Sequence, residues 1–596
     1  MGPDDVGPSA PGAGGADPGV VDPGDPSPGL GGAMGMPLDD PGVQSPPAPA
    51  LGDSYPVSSV AEFDAALPML QPGDEIVFAD GTYDDFVLDF KASGTEDAPI
   101  QLRAQTPGQV IFHGRSQLFI DGSWLIVSGF KYEEIADIPN ITTPYDVLVG
   151  SVVTFRKTTS NSRLTETAIV DSGNGVSSYY HMEPGGQYNR VDHCWFSGQR
   201  NIGMSLYIEI DPDKPNYAVM ESCFVGNRRQ GTGNRWETLR IGHSEQQYFQ
   251  SGALIARNYF TKCDGENEMV SNKSTGNKYL YNTFIDNRGE LTLRHGDEAW
   301  IEGNLMDDPG NVGAAGIRVI GSRHVIINNY LRNLNFGFNI YAAEANPEPR
   351  GYARVEDVII AFNTIDDSSS PFLVGTSGRP VAPSNVQVGY NLVRSSGTIL
   401  QYDNGSSDLT YDGNIMYGGN LGIGDTGGIH RESPALLDDS NGFLVPDVSQ
   451  LPVAVNANAF PQAAKDLNGT ERGASPNVGA IQTPNVKPLF PQSEMEVGPH
   501  WMNPRAEVSR PEALMLSAVS DPTETSVKVL LPYFRGKPIT VDVRDARGRL
   551  VRTLQATSDR VTWDGLTVSG SAAPAGQYRI STSVDGVQGA RVVRLR

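Results

Sequence analysis

Seven Asn-x-apolar triplets constrain the fold of this chain more than any other feature: Asn258-Tyr-Phe, Asn282-Thr-Phe, Asn304-Leu-Met, Asn329-Tyr-Leu, Asn363-Thr-Ile, Asn391-Leu-Val and Asn414-Ile-Met. Successive triplets are 24, 22, 25, 34, 28 and 23 residues apart. A degenerate period of this size, built from short apolar runs and polar turns, is the signature of a solenoid. Helical repeats are disfavoured because the apolar runs are short, β-branched and broken by Gly and Asn. The Leu lattice of leucine-rich repeats is missing. An all-β, right-handed parallel β-helix remains, with the repeated Asn stacking at one corner in a structural role. The 67 Gly and 43 Pro suit such a turn-rich chain.

The flanks read differently. Residues 1–50 hold seven Asp and no Lys or Arg among Gly, Pro, Ala and Ser. Such a leader buries too little apolar area to offset its ordering entropy and is expected to be disordered. It contains no apolar stretch of a signal peptide, and its composition suits the spacer of a secreted or cell-envelope protein. Val60, Phe63 and Leu67 recur at helical spacing behind Ser58 or Ser59, which predicts a short helix capping the open end of the solenoid. The β-helix is expected over 51–485, closing near "GASPNVGAIQ", with a Pro-rich linker over 486–505. Residues 506–596 alternate as antiparallel strands and predict a small β-sandwich.

Charge and cysteine content exclude several classes. The chain carries 45 Lys+Arg against 70 Asp+Glu, a net charge of -25, so nucleic acid is not an expected partner. No apolar run reaches the roughly 18 residues of a membrane span. Cys194, Cys223 and Cys263 lack zinc spacing and read as buried free thiols, although one disulfide is compatible with the count.

The coil period brings distant residues together. Lys273 and Arg294 are 21 residues apart, and Arg294 and Arg318 are 24 apart. One coil apart in a parallel β-helix means stacking at about 4.8 Å, so these three are expected to form a cationic column that anions must compensate. Glu266 and Glu268, two apart, point the same way on a strand. Lys273 has the opposite parity from Glu268, so a bend near Ser271 and Asn272 is required. Two carboxylates with an amide oxygen from a neighbouring coil, Asn234 in "GNRWETLRIG", make a hard-oxygen site suited to Ca²⁺. Glu237 reads as a residue holding Arg240 rather than as a further metal ligand.

Cation, Lys and Arg in an exposed groove suit β-elimination of a uronic acid polymer. Abstraction of the C5 proton adds charge beside a carboxylate, and neutralising that carboxylate stabilises the enolate-like state. Lys serves as base when neighbouring cations favour its neutral form.

"NRWETLRIG", "ENEMVSNKS" and "LRHG", in this order, resemble the motifs of the family 6 polysaccharide lyases, the alginate lyase and chondroitinase B group. "QPGDEIVFADGTY" and "NVGAIQ" extend the resemblance over about residues 55–485. It implies a parallel β-helix with Lys273 as Brønsted base and Arg294 as Brønsted acid. It also implies that Asn234, Glu266 and Glu268 hold Ca²⁺, and that Arg240, His295 and Arg318 line the substrate groove. An inward-pointing His295 that bonds backbone is the competing reading. The expected substrate is alginate, an anionic polysaccharide. A chondroitinase B-type lyase acting on dermatan sulfate and a non-catalytic polysaccharide-binding β-helix are the alternatives. "VRDARGRLVRTL…WDG…PAGQYRI" resembles the immunoglobulin-like domain of flagellar-hook capping proteins.

Overall fold

The computed structural model describes residues 52–502 except 137, 139–140, 143–146, 149, 174–177, 213, 311–312, 348–349, 377, 404–407, 425 and 457. Beyond these it describes 517–520, 527–530, 539–545, 549–556, 560–574, 576–584 and 587–595. The expected disordered leader therefore lies outside the described residues.

Three long sheets run the length of the solenoid, with 14, 12 and 14 strands among the described residues. Each coil contributes one strand to each sheet, and neighbouring coils pair in parallel. An example is Val270–Lys273 between Leu239–Ile241 and Gly289–His295. Inward side chains such as Leu239, Val270, Leu291, Ile317 and Phe338 stack into one core down the axis. The helix Val60–Ala66 caps the first coil: Ser59 accepts from the Glu62 N–H at 3.2 Å, and Phe63 is fully buried. The cap closes an end where core and backbone would otherwise meet water.

All seven triplet asparagines are fully buried at one corner. From Asn258 through Asn391, each amide Nδ2 donates to the Oδ1 of the Asn in the next coil at 2.9–3.0 Å. That Oδ1 also accepts a backbone N–H of the coil before it, as from Asn282 to Asn304 at 2.9 Å. Buried turn groups are thus paired without water, which a tight dry corner demands. The ladder starts on a cysteine: the Cys223 N–H donates to Asn258 Oδ1 at 2.9 Å. All three cysteines are buried and free.

The solenoid ends earlier than its sequence suggests. Its last coil strands lie at Leu409–Asp412, Asn414–Asn420 and Ile429–His430. Past His430 the chain becomes a strap packed back along the outside of the coils. Leu444 N–H donates to Tyr330 Oη at 2.9 Å, Ala480 N–H to Thr364 Oγ1 at 2.9 Å, and Gly498 N–H to the Ser222 carbonyl at 2.8 Å. His500 pairs with Glu166 and is nearly fully buried. The Pro-rich stretch expected as linker is therefore held against the coils as far as Met502, because Phe490, Val497 and His500 find buried seats there.

The C-terminal residues form two small antiparallel sheets. One joins Ser517–Ser520, Val527–Leu530 and Arg560–Trp563; the other joins Ile539–Asp545, Leu550–Ala556, Gly576–Val584 and Val587–Leu595. Val527, Val541, Val543, Trp563, Tyr578 and Ile580 fill the space between them.

Candidate active site

A cleft of about 690 Å³ opens over the 12-stranded sheet. Its walls include Asn234, Glu237, Arg240, Glu266, Glu268, Lys273, Arg294 and Arg318. These are all the sequence-predicted site residues except His295.

The acids arrive on turns. Asn234 and Glu237 lie between Phe224–Arg228 and Leu239–Ile241, and Glu266 and Glu268 lie one coil on, between Tyr259–Cys263 and Val270–Lys273. The expectation of two carboxylates sharing one face of a strand is thus incorrect: Gly265 and its neighbours leave the strand before Glu266. The turns nevertheless stack, with the Trp236 N–H donating to Glu266 Oε2 at 3.2 Å. Carboxylate oxygens of Glu237, Glu266 and Glu268 come within 4.8 Å of one another. Glu237, expected only to hold Arg240, does so at 3.5 Å but also completes this acidic triad. Its Oε2 is buried without a hydrogen-bond partner. Burial, then the charges of Glu237 and Glu268, push the Glu266 carboxyl up to about 8. An orphaned buried carboxylate oxygen and a carboxyl strained by like charge both fit a divalent cation at this point.

The bases stand on strands, but not in one column. A register shift between Asn272 and Lys273 sets Lys273 opposite His295; with Glu268 on a turn, the parity argument for a bend near Ser271 and Asn272 does not apply. Arg240, Ser271, Thr292 and Arg318 share one column. Arg294 stands two residues further along its strand than Thr292, so the predicted Lys273–Arg294–Arg318 column resolves into two neighbouring rows.

Each base has an acid. Lys273 Nζ is 3.9 Å from Glu237, and Glu268 Oε1 lies 3.7 Å from Arg294 Nε and 3.6 Å from Arg318 Nη1. Ser271 Oγ donates to Glu268 Oε2 at 2.7 Å. Arg318 also pairs with Glu290, a residue that sequence reasoning missed. Glu290 shares outward parity with Thr292 and Arg294, and that signal was available. Burial pushes its carboxyl up to about 7 against the pull of Arg318. The cleft walls carry four acids (Glu237, Asp264, Glu266, Glu268) and six bases (Arg235, Arg240, Lys273, Arg288, Arg294, Arg318), so the cleft does not share the chain's net charge of -25.

His295 does not line the cleft. Its side chain is fully buried and both ring nitrogens lack partners, so neither the groove contact nor the backbone bond expected of it is made. Burial, then Arg294 and Lys273, lower its pKa to about 3 and keep the imidazole neutral. Tyr352 was invisible from sequence, reaching the cleft from a loop 58 residues beyond Arg294. The Arg294 guanidinium sits over its ring at 4.0 Å.

A family model described as chondroitinase B matches residues 57–396, and one described as the FlgD Ig-like domain matches 520–586. Among solved structures, the PL6 family alginate lyase AlyGC is 29% identical with a TM-score of 0.61, covering 73% of this chain. The match spans 59% of that lyase's own length. A mannuronic acid specific family 6 lyase from human gut microbiota is 27% identical (TM-score 0.56), over 61% of this chain and 86% of that one. The PL6 family polysaccharide lyase Pedsa3628 from Pseudopedobacter saltans, at 22% identity, shares the fold (TM-score 0.57; 75% and 99% covered). No curated protein sequence matches the chain.

Proposed function

The chain belongs to the chondroitinase B family of polysaccharide lyases, and from that premise we propose that it cleaves alginate by β-elimination, working outside the cell. The observation that carries this reading is the meeting of Lys273 and Arg294 with a carboxylate triad in one open cleft. The likeness to an alginate lyase at 29% identity and to a mannuronic acid specific lyase at 27% supports alginate over other uronates.

The uronate chain lies along the 12-stranded sheet. Lys273 takes the C5 proton through its Nζ, and Arg294 donates to the C4 oxygen as the glycosidic bond breaks. Arg240 and Arg318, held by Glu237 and Glu290, bind neighbouring carboxylates and orient the chain. Glu237, Glu266 and Glu268 with Asn234 would hold a Ca²⁺ ion, which supplies charge neutralisation at the carboxylate beside C5.

Alginate and dermatan sulfate are to be incubated in parallel, with calcium and with chelator, and the ultraviolet absorbance of the 4,5-unsaturated product followed. Alginate is expected to yield product, and Lys273→Ala to abolish it. Product from dermatan sulfate alone would overturn the substrate, and full turnover by Lys273→Ala would overturn the mechanism.

A further inference from the structure

Two loops rise beside the cleft from coils that are not neighbours. One follows Leu239–Ile241 and carries Glu245; the other follows Phe336–Tyr341 and carries Arg350 and Tyr352. Four strand spacings separate their origins in the 12-stranded sheet, about 19 Å at 4.8 Å per coil. Yet Glu245 and Arg350 form an ion pair. The coils between them turn tightly after their sheet strands, so the pair arches over that side of the site.

The far foot of the arch grips Arg294. Its Nη2 donates to the Arg350 carbonyl at 3.3 Å and its Nη1 to the Gly351 carbonyl at 3.4 Å. The Tyr352 ring lies between the guanidinium carbons of Arg294 at 4.0 Å and Arg379 at 3.5 Å. On its own coil, Tyr352 also stacks on Tyr341, ring centres 5.7 Å apart and 13° from parallel. Ala343 bridges to Val381, anchoring the loop's base. A long guanidinium side chain has many rotamers, and this loop supplies its two carbonyl acceptors and a ring face.

We propose that loop residues 350–355 form a positioning element for Arg294, with Tyr352 setting the guanidinium plane and the Glu245–Arg350 pair latching them shut. This rests on the reading of Arg294 as the group that acts on the leaving oxygen. The latch pair is exposed, with side-chain accessibilities of 49% and 77%, so salt screens it and the loop opens readily to admit a polymer. Closure brings Arg294 to its working position, and opening lets product leave.

Two measurements test this, one independent of turnover. Trypsin cleavage after Arg350 reports loop opening: Glu245→Gln and added salt are each expected to speed it several-fold. An unchanged rate in both overturns the latch whatever the enzyme's substrate. In steady-state kinetics on alginate, Tyr352→Ala is expected to lower kcat roughly tenfold with KM little changed, and Tyr352→Phe to recover most of it. Melting temperatures are expected to agree across the set. Equal loss in Tyr352→Ala and Tyr352→Phe, wild-type kcat in Tyr352→Ala, or a parallel fall in melting temperature overturns the positioning role. A wild-type protein silent on every uronate polymer overturns the proposed function instead, and trypsin then decides the latch alone.

Discussion

Glu237→Gln separates a metal ligand from an ordinary ion-pair partner, because the structure predicts opposite behaviour with and without calcium. In the metal-free protein above about pH 8, where the Glu266 carboxyl has lost its proton, Glu237 is attracted by Arg240 at 3.5 Å and Lys273 at 3.9 Å and repelled by Glu266 and Glu268 within 4.8 Å. At an effective dielectric near 20, each attraction is worth ~4 kcal/mol and each repulsion ~3.5 kcal/mol. Two of each cancel to within ~1–2 kcal/mol, and solvent in the cleft shrinks all four terms alike. Removing the charge while keeping the shape should therefore move the metal-free melting point by only a few degrees. With calcium the balance breaks, since both repulsions become shared attraction to the cation and Gln supplies a weaker oxygen. Calcium affinity by titration calorimetry should fall about tenfold or more, equivalent to ~1.4 kcal/mol, and the calcium-induced rise in melting temperature should shrink with it. Wild-type calcium affinity in Glu237→Gln, or a metal-free melting point lowered by tens of degrees, would refute the assignment of Glu237 to the triad.

The same geometry carries two further expected outcomes. The folded Glu266 carboxyl titrates near 8 against an ordinary value of 4.5, so between these values the folded state keeps a proton that the unfolded state releases. Stability without calcium should therefore be fully present below about pH 4.5 and fall as pH rises to about 8, a slope that thermal melts of Glu266→Gln should lack. Asn304→Ala removes donors to the Tyr279 carbonyl and Asn329, and strands two Asn282 donors at 2.9 Å in a dry corner. A loss of about 3–5 kcal/mol in urea unfolding is expected, and less than ~1 kcal/mol would mean that water replaces the ladder.

Residue spacing alone defines the repeating unit. Spacing of Asn258 through Asn414 identifies the coil, because a buried corner needs a side chain that pairs backbone groups of two coils at once, and Asn has both donor and acceptor for it. The coil period then placed Lys273, Arg294 and Arg318 on one sheet. Local pattern did not extend to turns, whose paths depend on what packs beneath them. Glu266 and Glu268 converge with Glu237 through stacked turns rather than strand parity. His295 follows Leu291 and Leu293 onto the inner face by strand alternation, and the tertiary structure decided only that its ring nitrogens find no partner there. Glu245 and Tyr352 join the site from loops whose lengths obey no period, and only the folded coils show them meeting over Arg294. Periodicity constrains residues held by backbone pairing, whereas side chains brought together across loops are fixed by packing that no spacing encodes.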